Sequence, residues 1–195
     1  MPFADAAPDP RALKAFMALA GAGRWGQRTR DLQERLRAGV HAGRALQQRH
    51  ALELVLARLA GADEAQSRAG RAERRVALLA QEAVRLSASL DEGPRRRLRS
   101  LAERGLEGEG TLVPLFHLIH TAALFRSRGF AVSHDGLLHG TPHDLTVERG
   151  DATAEVVCEV VSAEEGRPLH KGDWAALVDM VNPDLQTWLA AHPGR

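Results

Sequence analysis

The chain has 195 residues, of which 44% are hydrophobic and 26% are charged, and its formal net charge is +1. This is the composition of ordinary globular material, and the length suits one large domain or two small ones. A single cysteine, Cys158, excludes a disulfide framework and a zinc site built from cysteines. Because no signal peptide, transmembrane run or lipidation motif is visible, we expect a cytoplasmic protein without a membrane partner.

The type of basic residue is informative, because only two of the 26 basic residues are lysines and the rest are arginines. Arginine has a planar fork that binds phosphate oxygens in pairs, which favours a phosphate-binding surface. An arginine-rich composition is also typical of a GC-rich genome, so both interpretations stay open. The run Arg95-Arg96-Arg97 would track phosphates if it lay on the same side of the protein as Asp144.

The first half of the chain is predicted to be an array of four or five helices over residues 10–106, after a mobile leader over residues 1–9. Asp9 and Pro10 suit the cap and the first position of the opening helix, which is expected to stop near Gly21.

Glycine and proline set the later boundaries of this array. A second helix is expected to begin at Thr29 or Asp31 and to break near Gly39. The apolar residues 51–59 predict a buried helix, and the sequence Leu-Asp-Glu-Gly-Pro at 90–94 predicts a stop and a new start.

Residues 107–110, Glu-Gly-Glu-Gly, are the expected joint to a second half over residues 111–195. The next helix, over residues 112–128, is apolar on nearly all sides. A helix of this kind is covered on both sides, and we expect the sheet on one side and the N-terminal helices on the other. The last helix, over residues 173–191, is expected to kink or split at Pro183.

Three short strands are predicted between these two helices, at residues 130–133, 143–147 and 154–162. The third is rich in valine yet carries two acids, Glu155 and Glu159, on one face. A buried, unpaired carboxylate is costly, so two acids in a central strand indicate a function.

This order of elements resembles the PD-(D/E)xK nuclease superfamily, the restriction-endonuclease-like fold, over roughly residues 111–192. Pro142-His143-Asp144 stands where that family often has Pro-Asp, and residues 154–162 stand where it has the Glu-x-Lys strand. The resemblance implies an α+β or α/β protein with an N-terminal helical array and an αβββα core. The family core has a further strand after the last helix, which this chain lacks up to residue 195.

The Glu-x-Lys motif is not intact in either register. If Glu159 is the family's Glu, then Val161 replaces the Lys; in the preferred register Val157-Cys158-Glu159 occupies the motif, and both catalytic residues are replaced. In the family the acids hold a divalent metal and the Lys orients a water. The resemblance therefore implies Asp144 and Glu159 as candidate ligands of Mg²⁺ or Mn²⁺.

Further candidates come from the segment before the last helix. Lys171 or His170 is the candidate substitute for the missing catalytic lysine. Nucleic-acid binding is assigned to Arg167, His170, Lys171 and the Arg95–Arg97 run. The sequence also places His134, His139 and His143 around the first turn, where a histidine zinc site is a separate alternative.

Three functions follow. The first, which we adopt, is a nuclease-like domain that binds DNA or a DNA-processing partner without cleaving DNA. The second is an active metal-dependent nuclease with a migrated catalytic residue. The third is a protein-interaction scaffold, acting with a partner or as a homodimer through its helices or an open sheet edge.

Overall fold

The computed structural model describes residues 8–61, 68–162 and 168–193. In these residues the protein is mainly helical with one small antiparallel sheet, so its class is α+β. The helices are α1 (Pro10–Leu19), α2 (Ala22–Leu36), α3 (Val40–Arg49), α4 (Ala51–Gly61), α5 (Arg71–Ser89), α6 (Glu92–Leu106), α7 (Val113–Ser127), α8 (Asp135–Leu138) and α9 (Lys171–Ala191). The strands are β1 (Ala131–Ser133), β2 (Leu145–Arg149) and β3 (Ala152–Val156). No helix of this described part is both long and apolar enough to cross a membrane.

The chain forms two compact units. Unit 1 contains Met1–Arg28 and Leu52–Val160, and unit 2 contains Thr29–Ala51 and Val161–Arg195. Helix α2 therefore contributes its first turns to unit 1 and its last turns to unit 2. The segment 107–110, which the sequence marks as a joint, lies inside unit 1.

The N-terminal array has six helices in its described residues, where four or five were expected. Asp9 caps α1 as predicted, because its side chain accepts a hydrogen bond from the backbone N–H of Arg11. The prediction for the start of α2 was wrong: the helix begins at Ala22, directly after Gly21, and not at Thr29 or Asp31. The break at Gly39 is confirmed and separates α3 as the additional helix. Residues 1–7 of the expected leader lie outside the described part.

Helix α7 lies at the centre of unit 1, as its apolar sequence predicted. It contacts α5, α6 and β1. Phe116 packs edge-to-face on Phe16 of α1, with ring centroids 5.6 Å apart. Full burial of a large apolar side chain contributes about 1.5–3 kcal/mol, so α7 supplies much of the stability of unit 1. Its buried residues are Leu115, Phe116, Leu118, Ile119, Ala122 and Ala123.

Two charged residues hold the segment that leads into α7. Glu53 of α4 is 2% exposed, and its Oε1 accepts a hydrogen bond of 2.8 Å from the backbone N–H of Leu112. Burial raises the pKa of Glu53, and the nearby positive charge of Arg28 acts in the opposite direction. The guanidinium of Arg28 donates to the carbonyl oxygens of Gly108 and Gly110, at 2.7 and 2.8 Å. The expected joint is therefore fixed by hydrogen bonds within unit 1.

The sheet has the order β1-β2-β3, and both of its pairings are antiparallel. Strand β1 confirms the prediction for residues 130–133 to within one residue. The prediction of a third strand over residues 154–162 was wrong, because β3 ends at Val156. Beyond Val156 the backbone N–H of Cys158 bonds to the side chain of Asp144 rather than to a strand, so the ladder does not continue. The acids Glu155 and Glu159 are therefore exposed and do not lie in a central strand.

In unit 2, helix α9 is joined to the beginning of α3 by Asp179. Its carboxylate accepts hydrogen bonds from the backbone N–H groups of His41 and Ala42, which lie in the first turn of α3. These bonds lower the pKa of Asp179, because free N–H groups at a helix start favour a negative charge. Of the two expectations for Pro183, a kink or a split, the split was wrong, since α9 runs through that residue without interruption.

A candidate phosphate site lined by arginines

An open cavity of about 530 Å³ lies in unit 1 beside helix α6. One wall is a single stripe of α6, since its lining positions recur every three or four residues. The opposite wall consists of α8, the loop that follows it and the residue before β2. The lining residues are Gly93, Arg96, Arg97, Ser100, Leu101 and Arg104 on α6, and Gly136, Leu137, Thr141 and Asp144 on the opposite wall.

The three residues of the Arg95–Arg97 run have different roles. Arg95 donates to the carbonyl oxygens of Ser87 and Leu90, at 2.9 and 2.6 Å. It thereby provides hydrogen-bond donors for backbone carbonyl groups at the C-terminal end of α5. Arg97 donates to the carbonyls of Leu137 and Leu138, at 2.6 and 2.7 Å, and so fastens α8 to α6. Arg95 is therefore a structural residue and not part of the cavity surface.

Arg96 and Arg104 are the arginines of the cavity that stay available for a ligand. Both are exposed, and neither has a hydrogen bond or ion pair from its guanidinium to any residue of the described chain. The sequence predicted Arg96 as a binding residue but not Arg104. Its position, seven residues after Arg97 and therefore on the same helical face, was the available signal.

The opposite wall depends on a close contact between α8 and the residues before β2. The backbone N–H of Gly136 donates to the carbonyl of Asp144 at 3.2 Å. A β-carbon on Gly136 would lie 3.0 Å from the carbonyl oxygen of His143 and 3.1 Å from the Cα of Asp144. Glycine is therefore needed at position 136 to bring α8 and Asp144 to the same wall.

Asp144 lines the cavity, but its carboxylate is partly engaged. Its Oδ2 accepts a hydrogen bond of 2.7 Å from the backbone N–H of Cys158, and its own N–H donates to the carbonyl of Val156 at 2.9 Å. Glu159 follows Cys158 in an exposed segment outside the sheet. Burial raises the pKa of the Cys158 thiol, which therefore stays protonated at neutral pH.

The residues present do not fit a magnesium or manganese site well. A divalent ion of this type takes several oxygen ligands, and Asp144 already uses one oxygen to hold the backbone. Across residues 8–61, 68–162 and 168–193, no three side chains of the Asp, Glu, His and Cys types come together as metal ligands. This includes the three histidines around the first turn: His134 is buried, His139 is exposed, and His143 contacts carboxylates.

The remaining candidates lie elsewhere. Lys171 and His170 belong to unit 2, where the Nζ of Lys171 donates to Gln48 at 2.8 Å. Arg167 lies outside the described residues.

A second polar cluster, which sequence reasoning missed, joins all three strands to α8. Asp135 accepts hydrogen bonds from the hydroxyl groups of Ser133 and Thr146, and these bonds lower its pKa. The ring of His143 lies between Asp135 and Glu155, with nitrogen–oxygen distances of 3.6 and 3.5 Å. Pairing of Thr146 with Glu155 across β2 and β3 brings these groups together, and no sequence spacing indicated it.

No family model, no curated protein and no solved structure matches this chain. The assignment of a function therefore depends on the geometry of the cavity.

Proposed function

We propose that unit 1 is a nuclease-like domain that binds the phosphate groups of DNA in the arginine cavity and does not cleave the DNA. The observation that carries this proposal is the placement of Arg96, Arg97 and Arg104 on one wall of a cavity whose other wall contains Asp144. The sequence predicts phosphate binding on the condition that the arginine run and Asp144 lie on the same side of the protein.

The charges of the cavity favour an anionic ligand. Three arginines and one aspartate line it, and the volume of about 530 Å³ is within the range of pockets that hold small ligands. Guanidinium groups bind phosphate oxygens in pairs, and the exposed heads of Arg96 and Arg104 are open to such a contact. The open cavity would therefore take one or two phosphates of a chain that continues beyond it.

The arrangement of the strands supports the nuclease-like part of the proposal. In unit 1, helix α7 is followed by strands β1, β2 and β3, with the short helix α8 between β1 and β2. Helix α9 comes next in the sequence but belongs to unit 2. Apart from α8, this is the order of elements that the resemblance to the PD-(D/E)xK superfamily implies. Asp144 immediately precedes β2, in the place of the family's Pro-Asp acid. The segment 157–162 contains no lysine, and Glu159 stands outside the sheet, so the groups that would activate a water are missing.

Fluorescence anisotropy with labelled single- and double-stranded oligonucleotides tests the proposal. Arg96→Gln and Arg104→Gln should each weaken binding, and each should reduce the slope of log K against log salt by about one. Arg99→Gln is the matched control, because Arg99 is an exposed arginine on the same helix that does not line the cavity. An equal loss with Arg99→Gln, or binding that is insensitive to salt, would contradict phosphate binding in the cavity.

A cleavage assay separates the non-cleaving domain from an active nuclease. Purified protein is incubated with supercoiled plasmid and Mn²⁺, and we expect no nicking above background. Nicking that disappears in Asp144→Asn would identify an active nuclease instead. If no oligonucleotide binds at any salt concentration, DNA binding is contradicted and the protein-interaction scaffold becomes the remaining candidate function.

A further inference from the structure

Helix α9 carries an apolar stripe that is exposed to solvent over residues 174–188. Its five members are Trp174, Leu177, Val181, Leu185 and Trp188, which are 57%, 42%, 50%, 47% and 48% exposed. At 100° per residue they fall within a sector of roughly 80°. Isolated exposed apolar residues need no explanation, but a contiguous row with two tryptophans marks an interaction surface.

This stripe is not the face by which α9 packs on α3. Ala175 is the buried residue of α9, and Asp179 bonds to the first turn of α3. Both lie about 80° or more around the helix from the stripe. The stripe is therefore an additional surface of unit 2 that the contact with α3 leaves uncovered.

The order of residues in the stripe reads the same in both directions. From Val181, a leucine lies four residues away on each side, at 177 and 185, and a tryptophan lies seven residues away on each side, at 174 and 188. An antiparallel pair of identical helices places residue i beside the residue at the mirrored distance from the centre. A two-fold dimer needs a surface that is complementary to itself, and this stripe has that property.

We propose that the stripe is an isologous dimer interface in which α9 of one copy pairs antiparallel with α9 of a second copy. Val181 meets Val181 at the two-fold axis, each Leu177 meets Leu185 of the other copy, and each Trp174 meets Trp188 of the other copy. None of the five residues is charged, so their contact places no charge in the middle of the interface.

The small size of the proposed interface determines the protein concentrations at which dimerisation is measured. A single helical stripe buries less than the roughly 800 Å² per partner of a standard interface. We therefore measure the mass of the full chain by light scattering and sedimentation velocity over a series from low to high micromolar. We expect a reversible monomer–dimer equilibrium.

Two matched variants locate the interface. Val181→Arg sets two like charges against each other at the two-fold axis and should weaken dimerisation at least about 30-fold, as for a central interface residue. Met180→Arg is the control, because Met180 is 70% exposed on α9 but lies outside the stripe. Both variants alter exposed positions, and circular dichroism verifies that each keeps its helix content.

A charge exchange tests the antiparallel arrangement itself. Leu177→Lys alone should weaken the dimer, and the double variant Leu177→Lys with Leu185→Glu should restore it through two symmetric ion pairs. In a parallel pair these positions would face their own copies, with like charges together, and the double variant would be weaker than the single one.

Three results would overturn the proposal. The first is a wild-type protein that stays monomeric throughout the concentration series. This outcome counts against the dimer even if the monomer co-sediments with phosphatidylcholine–phosphatidylglycerol vesicles. The second is an equal loss of dimer in Val181→Arg and Met180→Arg. The third is a double variant that fails to recover the dimer.

Discussion

The carboxylate of Asp144 accepts a hydrogen bond of 2.7 Å from the backbone N–H of Cys158. This bond explains two features of unit 1. It fixes the chain beyond β3 against the start of β2, and it occupies an oxygen that a metal ion would otherwise use. A residue that the sequence marks as a metal ligand thus has a structural role as well as a place in the cavity.

Replacing Asp144 by Asn should strengthen oligonucleotide binding by about threefold. The amide keeps an oxygen for the N–H of Cys158 and removes the negative charge that opposes a phosphate in the cavity. Anisotropy titrations at low salt measure the effect. Asp151→Asn, in the turn between β2 and β3, makes the same charge change outside the cavity and should leave the affinity unchanged. Weaker binding of Asp144→Asn would argue for a ligand role of the carboxylate.

Gly136→Ala should destabilise unit 1 by about 1–2 kcal/mol and weaken oligonucleotide binding. The added methyl group meets backbone atoms of residues 143 and 144 at 3.0 and 3.1 Å, so the wall of the cavity must move. Gly93→Ala is the control, because Gly93 also lines the cavity but a β-carbon there meets no atom within 4 Å. Urea denaturation and anisotropy measure both variants. A Gly136→Ala protein as stable as Gly93→Ala would show that α8 is not held tightly.

Glu53→Ala should lower the free energy of unfolding by about 3 kcal/mol. The change removes the acceptor for the N–H of Leu112 and leaves the positive charge of Arg28 near an emptied position. Glu53→Gln retains a side-chain oxygen and should cost less, on the order of 1 kcal/mol. Urea unfolding of the two variants at one pH gives the comparison. Equal losses would mean that the charge of Glu53, rather than its hydrogen bond, stabilises the segment before α7.

Stability should fall as the pH is lowered from 6.5 toward 4, because of His134. This histidine is 5% exposed, and burial, together with the nearby charge of Arg126, lowers its pKa from 6.5 to about 4. Between those values the unfolded chain binds a proton that the folded chain does not, so acid favours unfolding. The difference corresponds to roughly 3 kcal/mol.

Urea denaturation at pH 7 and at pH 4.5 tests this effect in the wild type and in His134→Gln. The carboxylates with lowered pKa values, such as Asp135 and Asp179, lose their contribution at still lower pH and do so in both proteins. The wild type should therefore lose more stability over this interval than the variant. An equal loss in both proteins would contradict the assignment to His134.

Helix positions were predictable where a local pattern decided them. Asp9 with Pro10, the break at Gly39 and the apolar row of α7 all depend on neighbours within a few residues, and the structure confirms them. The end of β3 was not predictable in the same way. The valines of residues 156–161 favour a strand, but a strand needs a partner, and a side chain from Asp144 takes the N–H that would have continued the ladder.

The sequence by itself determined the central helix α7 and the mirror order of the apolar residues in α9, while it left the class open between α+β and α/β. These depend on periodicity and on the chemistry of neighbouring residues. Only the tertiary structure decided which arginines are engaged and which face the cavity. Arg95, Arg96 and Arg97 are adjacent and chemically identical, so the sequence cannot separate them. Carbonyl groups at the ends of α5 and α8 bind two of the three, and these acceptors are set by packing between distant segments.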